Sequence, residues 1–125
     1  MRVLVVDDDP DYRLMLRLQL ELQHGLDVVG EAGDGIEALA WLDEHTADVV
    51  VLDLMMPRMD GYETIVHAGE RFPDVPIVAY SAVGSPKAQQ HCQAHGVTLM
   101  RKSGDTGPLY DTLVELTREH GGRPA

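Results

Sequence analysis

The chain has 125 residues, 44% of them hydrophobic, which is enough to bury the core of one globular domain. Its formal net charge of −11 comes from 21 acidic against 10 basic residues, without the cation cluster that nucleic acid requires, so we expect this chain alone not to bind nucleic acid. The apolar runs are too short to span a membrane, and a single cysteine, Cys92, excludes an internal disulfide, so we expect a cytoplasmic protein.

The first part of the chain predicts a strand, a helix and a second strand. Residues 2–6 form a β-branched apolar run, and residues 27–31 form a shorter, edge-like one. Between them, Asp9 as N-cap and Pro10 in the first turn predict a helix start, and Gly25 predicts the helix end. An apolar stripe recurs every four residues along this helix, at Leu14, Leu18 and Leu22.

The middle of the chain continues this alternation. A second helix is predicted over about residues 34–45. The third strand, over residues 48–54, is apolar on both faces, as a central parallel strand should be. A capping box opens a third helix over about residues 60–72, in which Gly69 costs on the order of 1 kcal/mol against alanine.

The last part of the chain adds two strands and two helices. Strands are predicted over residues 76–80 and 97–101, with a helix over residues 86–96 between them. Spaced leucines predict the last helix, at Leu109, Leu113 and Leu116. We expect residues 1–120 to form one domain and residues 121–125 to form a flexible tail.

Five strands alternating with five helices predict an α/β fold whose parallel sheet is covered on both sides. In the flavodoxin-like strand order 2-1-3-4-5, strands 1, 3, 4 and 5 are neighbours and strand 2 lies at an edge. Polar residues follow four of these strands, namely Asp7 with Asp8, then Asp53, Ser81 and Lys102. One such residue alone is more often a turn former or a helix cap, but four strand ends at one sheet edge predict a shared site.

The charges of this predicted site require a cation or a proton. Two carboxylates about 4–5 Å apart repel each other by roughly 3–4 kcal/mol at an effective dielectric constant near 20. Three carboxylates beside one lysine therefore favour a bound cation, and hard oxygen ligands suit Mg²⁺ better than zinc. A carboxylate held between Mg²⁺ and an ammonium group is also suited to accept a phosphoryl group.

The segments 5–9 and 51–61, together with Ser81, Ala82 and Lys102, resemble the response regulator receiver family. The resemblance covers essentially the whole chain, and segment 51–61 is its most specific part. It implies a flavodoxin-like receiver fold in a two-component phosphorelay, with a sensor histidine kinase as the phosphoryl donor. It also implies a signalling domain that catalyses its own phosphoryl transfer and dephosphorylation, not an enzyme.

The resemblance assigns roles to the residues that would hold the metal ion. Asp53 would be the phosphoacceptor and a Mg²⁺ ligand. Asp8 would bind the ion directly, and Asp7 would act on it through water. The backbone carbonyl of Met55 would complete the protein's share of the ligands.

Three further residues would surround the phosphoryl group. Ser81 takes the place of the family's switching hydroxyl, Ala82 leaves room above the phosphoryl group, and Lys102 would pair with its oxygens. Among the departures from the family pattern, Ser103 follows the lysine where proline is usual, and Leu99 replaces an aromatic switch residue. The usual coupling of the hydroxyl to an aromatic rotamer requires that missing aromatic side chain.

Two other functions compete with a phosphorylated receiver. A pseudo-receiver would bind partners without being phosphorylated, although the complete set of polar residues argues against it. A Mg²⁺-dependent phosphatase would need a second acid two residues after its nucleophile, where this chain has Met55. The resemblance places contacts with a second copy, or with an output domain, on the surface of the fourth helix, fifth strand and fifth helix.

Overall fold

The computed structural model describes residues 1–82 and 84–121, and it contains one parallel sheet with helices on both sides. Strands and helices alternate as predicted, and the predicted ends are within two residues of the observed ones except at the end of the first helix. The strands are β1 (Arg2–Val6), β2 (Asp27–Ala32), β3 (Val49–Leu52), β4 (Ile77–Ser81) and β5 (Thr98–Arg101). The helices are α1 (Pro10–Glu21), α2 (Gly35–Glu44), α3 (Gly61–Arg71), α4 (Pro86–Ala94) and α5 (Gly107–Gly121).

The strand order is β2-β1-β3-β4-β5 and every strand pair is parallel, which confirms the predicted flavodoxin-like fold. Successive side chains of a strand point to opposite faces, so the sheet has two cores. The core against α2, α3 and α4 takes Leu4, Val6, Val50 and Leu52 from the sheet. The core against α1 and α5 takes Val3, Val5, Val49 and Val51.

Left-handed glycines follow two of the helices, but at different distances. α4 ends at Ala94 with His95 as C-cap, and Gly96 follows with a φ of 68°, in agreement with its predicted terminating role. α1 ends at Glu21, and Gly25, with a φ of 82°, lies in the loop beyond the helix cap. The prediction that Gly25 ends α1 is therefore wrong, because a left-handed glycine serves a loop turn as well as a helix terminus.

The buried face of α1 also differs from the predicted stripe. The residues that pack against the sheet are Leu16 and Leu20, which are almost completely buried. The leucines of the predicted stripe face solvent, with exposed fractions of 53% for Leu14, 58% for Leu18 and 84% for Leu22. Both sets recur every four residues, so the spacing predicts a helix without choosing the face that contacts the sheet.

The C-terminal end of α5 overlaps the predicted tail. Gly121 is the last residue of the helix, so the first tail residue is helical, whereas residues 122–125 lie outside the described residues. The domain predicted over residues 1–120 stays a prediction. Among the described helices, none combines the length and the apolar character that crossing a membrane requires.

Candidate functional site

The first two aspartates of the site are brought together by the pairing of β1 with β3. Val6 lies opposite Leu52 in this parallel pair, so Asp7 and Asp53 each follow a strand at the same sheet edge. The Asp53 N–H donates a hydrogen bond to the Val6 carbonyl at 2.9 Å, which extends the ladder by one residue. Both aspartates are buried, with exposed fractions of 2% for Asp7 and 7% for Asp53.

The third aspartate completes an acidic cluster at this edge. Asp8 is exposed, and it offers a carboxylate oxygen that lies within 4.8 Å of oxygens from both Asp7 and Asp53. The donor atoms are all carboxylate oxygens, which is the ligand chemistry that Mg²⁺ prefers in proteins. The residues present therefore fit Mg²⁺, and in the described part of the chain no second group of acidic, histidine or cysteine side chains comes together in this way.

Lys102 is the cation of the site. Its Nζ donates hydrogen bonds to Asp7 Oδ2 at 2.7 Å and to Asp53 Oδ2 at 3.4 Å. Burial works against the charge of Lys102, but the hydrogen bond to Asp7 and the charges of Asp53 and Asp7 raise its pKa. The pKa of Asp53 is also raised, by burial and by the charge of Asp7, although Lys102 opposes this shift. Lys102 thus compensates the acidic cluster only in part.

The remaining predicted residues surround this cluster. Ser81 ends β4 and is 1% exposed, and Ala82 follows it in an exposed position. Met55 has a side chain that is 60% exposed, and its N–H lies 3.4 Å from Asp53 Oδ1. The parallel neighbours β1, β3, β4 and β5 thus carry every predicted site residue to one end of the sheet, as expected.

The loop after Asp53 is fixed by a close approach and by an ion pair. A Cβ on Gly61 would lie only 2.4 Å from the carbonyl oxygen of Asp53, so the helix start touches the phosphoacceptor candidate's backbone. Arg58, with a positive φ of 63°, pairs with buried Asp34 and, at 2.8 Å, with Glu37. Despite burial, the Glu37 N–H and Arg58 lower the pKa of Asp34, so this carboxylate stays charged and holds the loop to α2.

Two tyrosines that the sequence analysis did not assign to the site lie beside Lys102. The Lys102 Nζ lies 4.2 Å from the centre of the Tyr12 ring, a cation–π arrangement. The Tyr12 hydroxyl is buried close to the Tyr80 hydroxyl, and burial together with this neighbour raises the pKa of Tyr12. Tyr80 lies nearby and bonds to Ser103. The alternation of side chains along a strand predicts that Tyr80 and Ser81 lie on opposite faces of the sheet. It does not predict which group the Tyr80 hydroxyl contacts.

Comparisons with known proteins agree with this geometry. A family model described as the response regulator receiver domain matches residues 3–113. The uncharacterized transcriptional regulatory protein YhcZ of Bacillus subtilis (strain 168) is 33% identical over 126 residues, which cover 98% of this chain and 56% of YhcZ. Protein-glutamate methylesterase/protein-glutamine glutaminase 3 of Hahella chejuensis (strain KCTC 2396) is 38% identical over 120 residues, covering 92% of this chain and 34% of that protein. The chain thus spans between 34% and 56% of the length of these two relatives.

A solved structure gives the same picture for the fold. The response regulator protein TrrA from Thermotoga maritima, in complex with Mg²⁺–BeF, superposes with a TM-score of 0.83 at 28% sequence identity. The superposition covers 92% of this chain and 97% of the TrrA chain. Because the family match runs from β1 into α5 and covers most of the chain, the chain belongs to the response regulator receiver domain family, the signalling domains of two-component systems.

Proposed function

We propose that this chain is a cytoplasmic receiver that accepts a phosphoryl group on Asp53, with Mg²⁺, from a phosphohistidine on a sensor histidine kinase. The observation that carries the proposal is the acidic cluster itself. Oxygens of Asp7, Asp8 and Asp53 lie within 4.8 Å of one another, and Lys102 bonds to two of these three residues. Phosphorylation on aspartate is general to the family, and this cluster holds two buried aspartates, Asp7 and Asp53, beside a lysine.

The proposed metal ligands are Asp8, Asp53 and the backbone carbonyl of Met55, with Asp7 acting through water. When bound, Mg²⁺ neutralises the charge that develops on the phosphoryl oxygens during transfer. The mutual repulsion of the carboxylates supports this assignment, because Lys102 supplies one positive charge against three negative ones. A divalent cation removes the remaining imbalance.

Asp53 is the proposed acceptor because it is a buried member of the acidic cluster that Lys102 holds less tightly than it holds Asp7. Its Oδ2 is 3.4 Å from Lys102 Nζ, whereas Asp7 holds the same ammonium group at 2.7 Å. Lys102 is therefore positioned to pair with the oxygens of a phosphoryl group on Asp53 while it keeps its bond to Asp7. Ser81 and Ala82, at the end of the neighbouring strand β4, form the proposed phosphoryl-binding and switching part of the site.

The exposed leucines of α1 support a protein as the phosphoryl donor. α1 begins two residues after Asp8. Leu14 and Leu18 on this helix, and Leu22 at its C-cap, are more than half exposed. Large apolar side chains on one exposed helix face are suited to bury against another protein. We assign this stripe, on the helix that follows Asp8 in the chain, as the contact with the kinase.

The face formed by α4, β5 and α5 is the proposed contact with a second copy or with an output domain. A groove opens on this face, and three of the residues that line it are Cys92, Leu99 and Arg101. Leu99, which replaces the family's aromatic residue, thus contributes to the same groove. Ser81 lies opposite Arg101 in the β4–β5 pair. A movement of Ser81 on phosphorylation would therefore reach this groove through the paired strands.

Intact-protein mass after incubation with acetyl phosphate tests the proposal. We expect the wild type to gain one phosphoryl group only when Mg²⁺ is present, and Asp53→Asn to gain none. Asp74→Asn is the matched control, because Asp74 is exposed and precedes β4, at the opposite end of that strand from Ser81 and the site. Wild-type protein that binds Mg²⁺ but takes no phosphoryl group, from acetyl phosphate or from a kinase, would identify the chain as a pseudo-receiver.

A second experiment separates the kinase contact from the chemistry. We expect the double variant Leu14→Ser/Leu18→Ser to be labelled by acetyl phosphate at the wild-type rate, because both side chains are exposed and outside the acidic cluster. The same variant should accept the phosphoryl group at least about tenfold more slowly from an autophosphorylated sensor kinase, since about 1.4 kcal/mol of lost contact gives that factor. Equal transfer rates would rule out the stripe as the kinase contact.

A further inference from the structure

The loop that carries Lys102 is held by two adjacent residues of β4. This loop, over residues 102–106, has no regular secondary structure. The Lys102 N–H donates to the Ser81 carbonyl at 2.8 Å. The Tyr80 hydroxyl accepts a hydrogen bond from the Ser103 N–H at 3.2 Å and donates one to the Ser103 carbonyl at 3.3 Å. Three backbone groups at and after the lysine are therefore fixed to the end of one buried strand.

Tyr80 is a rigid anchor for this loop. Its ring is 2% exposed and packs in the core between the sheet and the helices α1 and α5. Ser103, in contrast, is exposed, and a Cβ on the next residue, Gly104, would meet nothing within 4 Å. The loop thus has little packing of its own here, and the hydroxyl of Tyr80 ties both the N–H and the carbonyl of Ser103 to the core.

The position of this anchor determines where the lysine side chain starts. Lys102 Nζ must reach Asp7 at 2.7 Å and Asp53 at 3.4 Å from a backbone that has just left β5. A fixed Lys102 backbone leaves fewer positions open to the ammonium group. Less conformational entropy is therefore lost when this group pairs with an anion. The Tyr12 ring, whose centre lies 4.2 Å from Nζ, also restricts the position of the ammonium group.

We propose that Tyr80 is a positioning residue for phosphoryl transfer to Asp53. Its hydroxyl holds Ser103, and through Ser103 it holds the backbone from which Lys102 reaches the phosphoryl oxygens. The hydroxyl bonds to the loop backbone, so it acts through Lys102 and takes no proton or phosphoryl group itself. This inference rests on the proposed function, because it concerns the same transfer.

The test compares Tyr80→Phe with the wild type in the rate of labelling by acetyl phosphate and Mg²⁺. Loss of hydrogen bonds between uncharged groups predicts a rate about three- to tenfold lower. We also expect faster amide exchange at Ser103 before any phosphorylation, and a Mg²⁺ affinity within about twofold of the wild type, since the hydroxyl bonds to Ser103 and not to the acidic cluster. Tyr110→Phe is the matched control, because its hydroxyl bonds to the His24 carbonyl at the same distance of 3.3 Å.

A double-mutant cycle separates positioning from a general effect on folding. In a Lys102→Ala background, Tyr80→Phe should cause no further slowing of labelling, because the residue that it positions is gone. Equal slowing in both backgrounds, or an unchanged rate in the wild-type background, would overturn the inference while the proposed function stands. Wild-type protein that takes no phosphoryl group at all would instead overturn the proposed function, and the inference with it.

Discussion

Gly61→Ala is expected to lower the free energy of unfolding by about 3 kcal/mol and to slow the labelling of Asp53. The added Cβ would lie 2.4 Å from the Asp53 carbonyl oxygen and 2.6 Å from the Leu54 Cα. Both are backbone atoms, so no side-chain rotation relieves the contact, and the chain from Asp53 to the start of α3 must shift. Such a shift moves Asp53, the proposed phosphoacceptor, relative to Asp7 and Lys102.

A second glycine of the same helix provides the control. Gly69 also lies in α3, but a Cβ there would meet nothing within 4 Å. Gly69→Ala is therefore expected to raise the free energy of unfolding by about 1 kcal/mol, through helix propensity alone. Urea titrations with linear extrapolation measure both changes. If the two variants shifted the urea midpoint in the same direction, the close backbone contact at Gly61 would not limit the residue at this position.

In EDTA at pH 7, Asp53→Asn is expected to melt at a higher temperature than the wild type. Carboxylate oxygens of Asp7 and Asp53 lie within 4.8 Å, which corresponds to a repulsion of about 3.5 kcal/mol at an effective dielectric constant near 20. Lys102 opposes this repulsion with an attraction of at least similar size, so the gain comes mainly from relieving the burial of the charged Asp53 carboxylate, which is the largest contribution to its raised pKa. We expect a net gain of roughly 1–2 kcal/mol, or about 3–8 °C in Tm for a chain of this length. Asp8→Asn should act in the same direction by a smaller amount, because Asp8 is exposed.

The difference in melting temperature between Asp53→Asn and the wild type in EDTA is expected to decrease at low pH. Burial and the charge of Asp7 raise the pKa of Asp53 in the folded protein, so the folded state binds this proton more tightly than the unfolded chain does. The charged carboxylate therefore destabilises the metal-free protein at pH values above its folded-state pKa. We expect the advantage of Asp53→Asn to decrease as the pH falls towards 3.8, the ordinary pKa of the group.

Addition of Mg²⁺ should reverse the order of the melting temperatures. A ligand that binds only the folded state raises stability with its concentration, and the wild type has the complete set of carboxylates. We expect Mg²⁺ to raise the Tm of the wild type and of the Asp74→Asn control, but not that of Asp53→Asn. If Asp53→Asn instead melted below the wild type in EDTA, the pairing of Lys102 with Asp53 would outweigh the repulsion.

The strands, the helices and the acidic site could be predicted because local sequence patterns indicate all of them. Apolar runs, caps and glycines mark each strand and helix within a few residues of the chain, and functional groups of parallel sheets follow the strand ends. The positions of Asp7, Asp8, Asp53 and Lys102 at these strand ends are therefore enough to predict a shared acidic site. The error at the end of α1 is also local, since Gly25 is compatible with a helix terminus and with a loop turn.

The sequence by itself thus determined the α/β alternation, the strand ends and the chemistry that they carry. The tertiary structure alone decided that Leu16 and not Leu18 faces the sheet, because a helix with apolar residues on two faces has two ways to pack. It also decided that the Tyr80 hydroxyl meets Ser103 and that Arg58 pairs with Asp34. These pairs are more than twenty residues apart, and the packing of the intervening elements sets such contacts, so no local pattern records them.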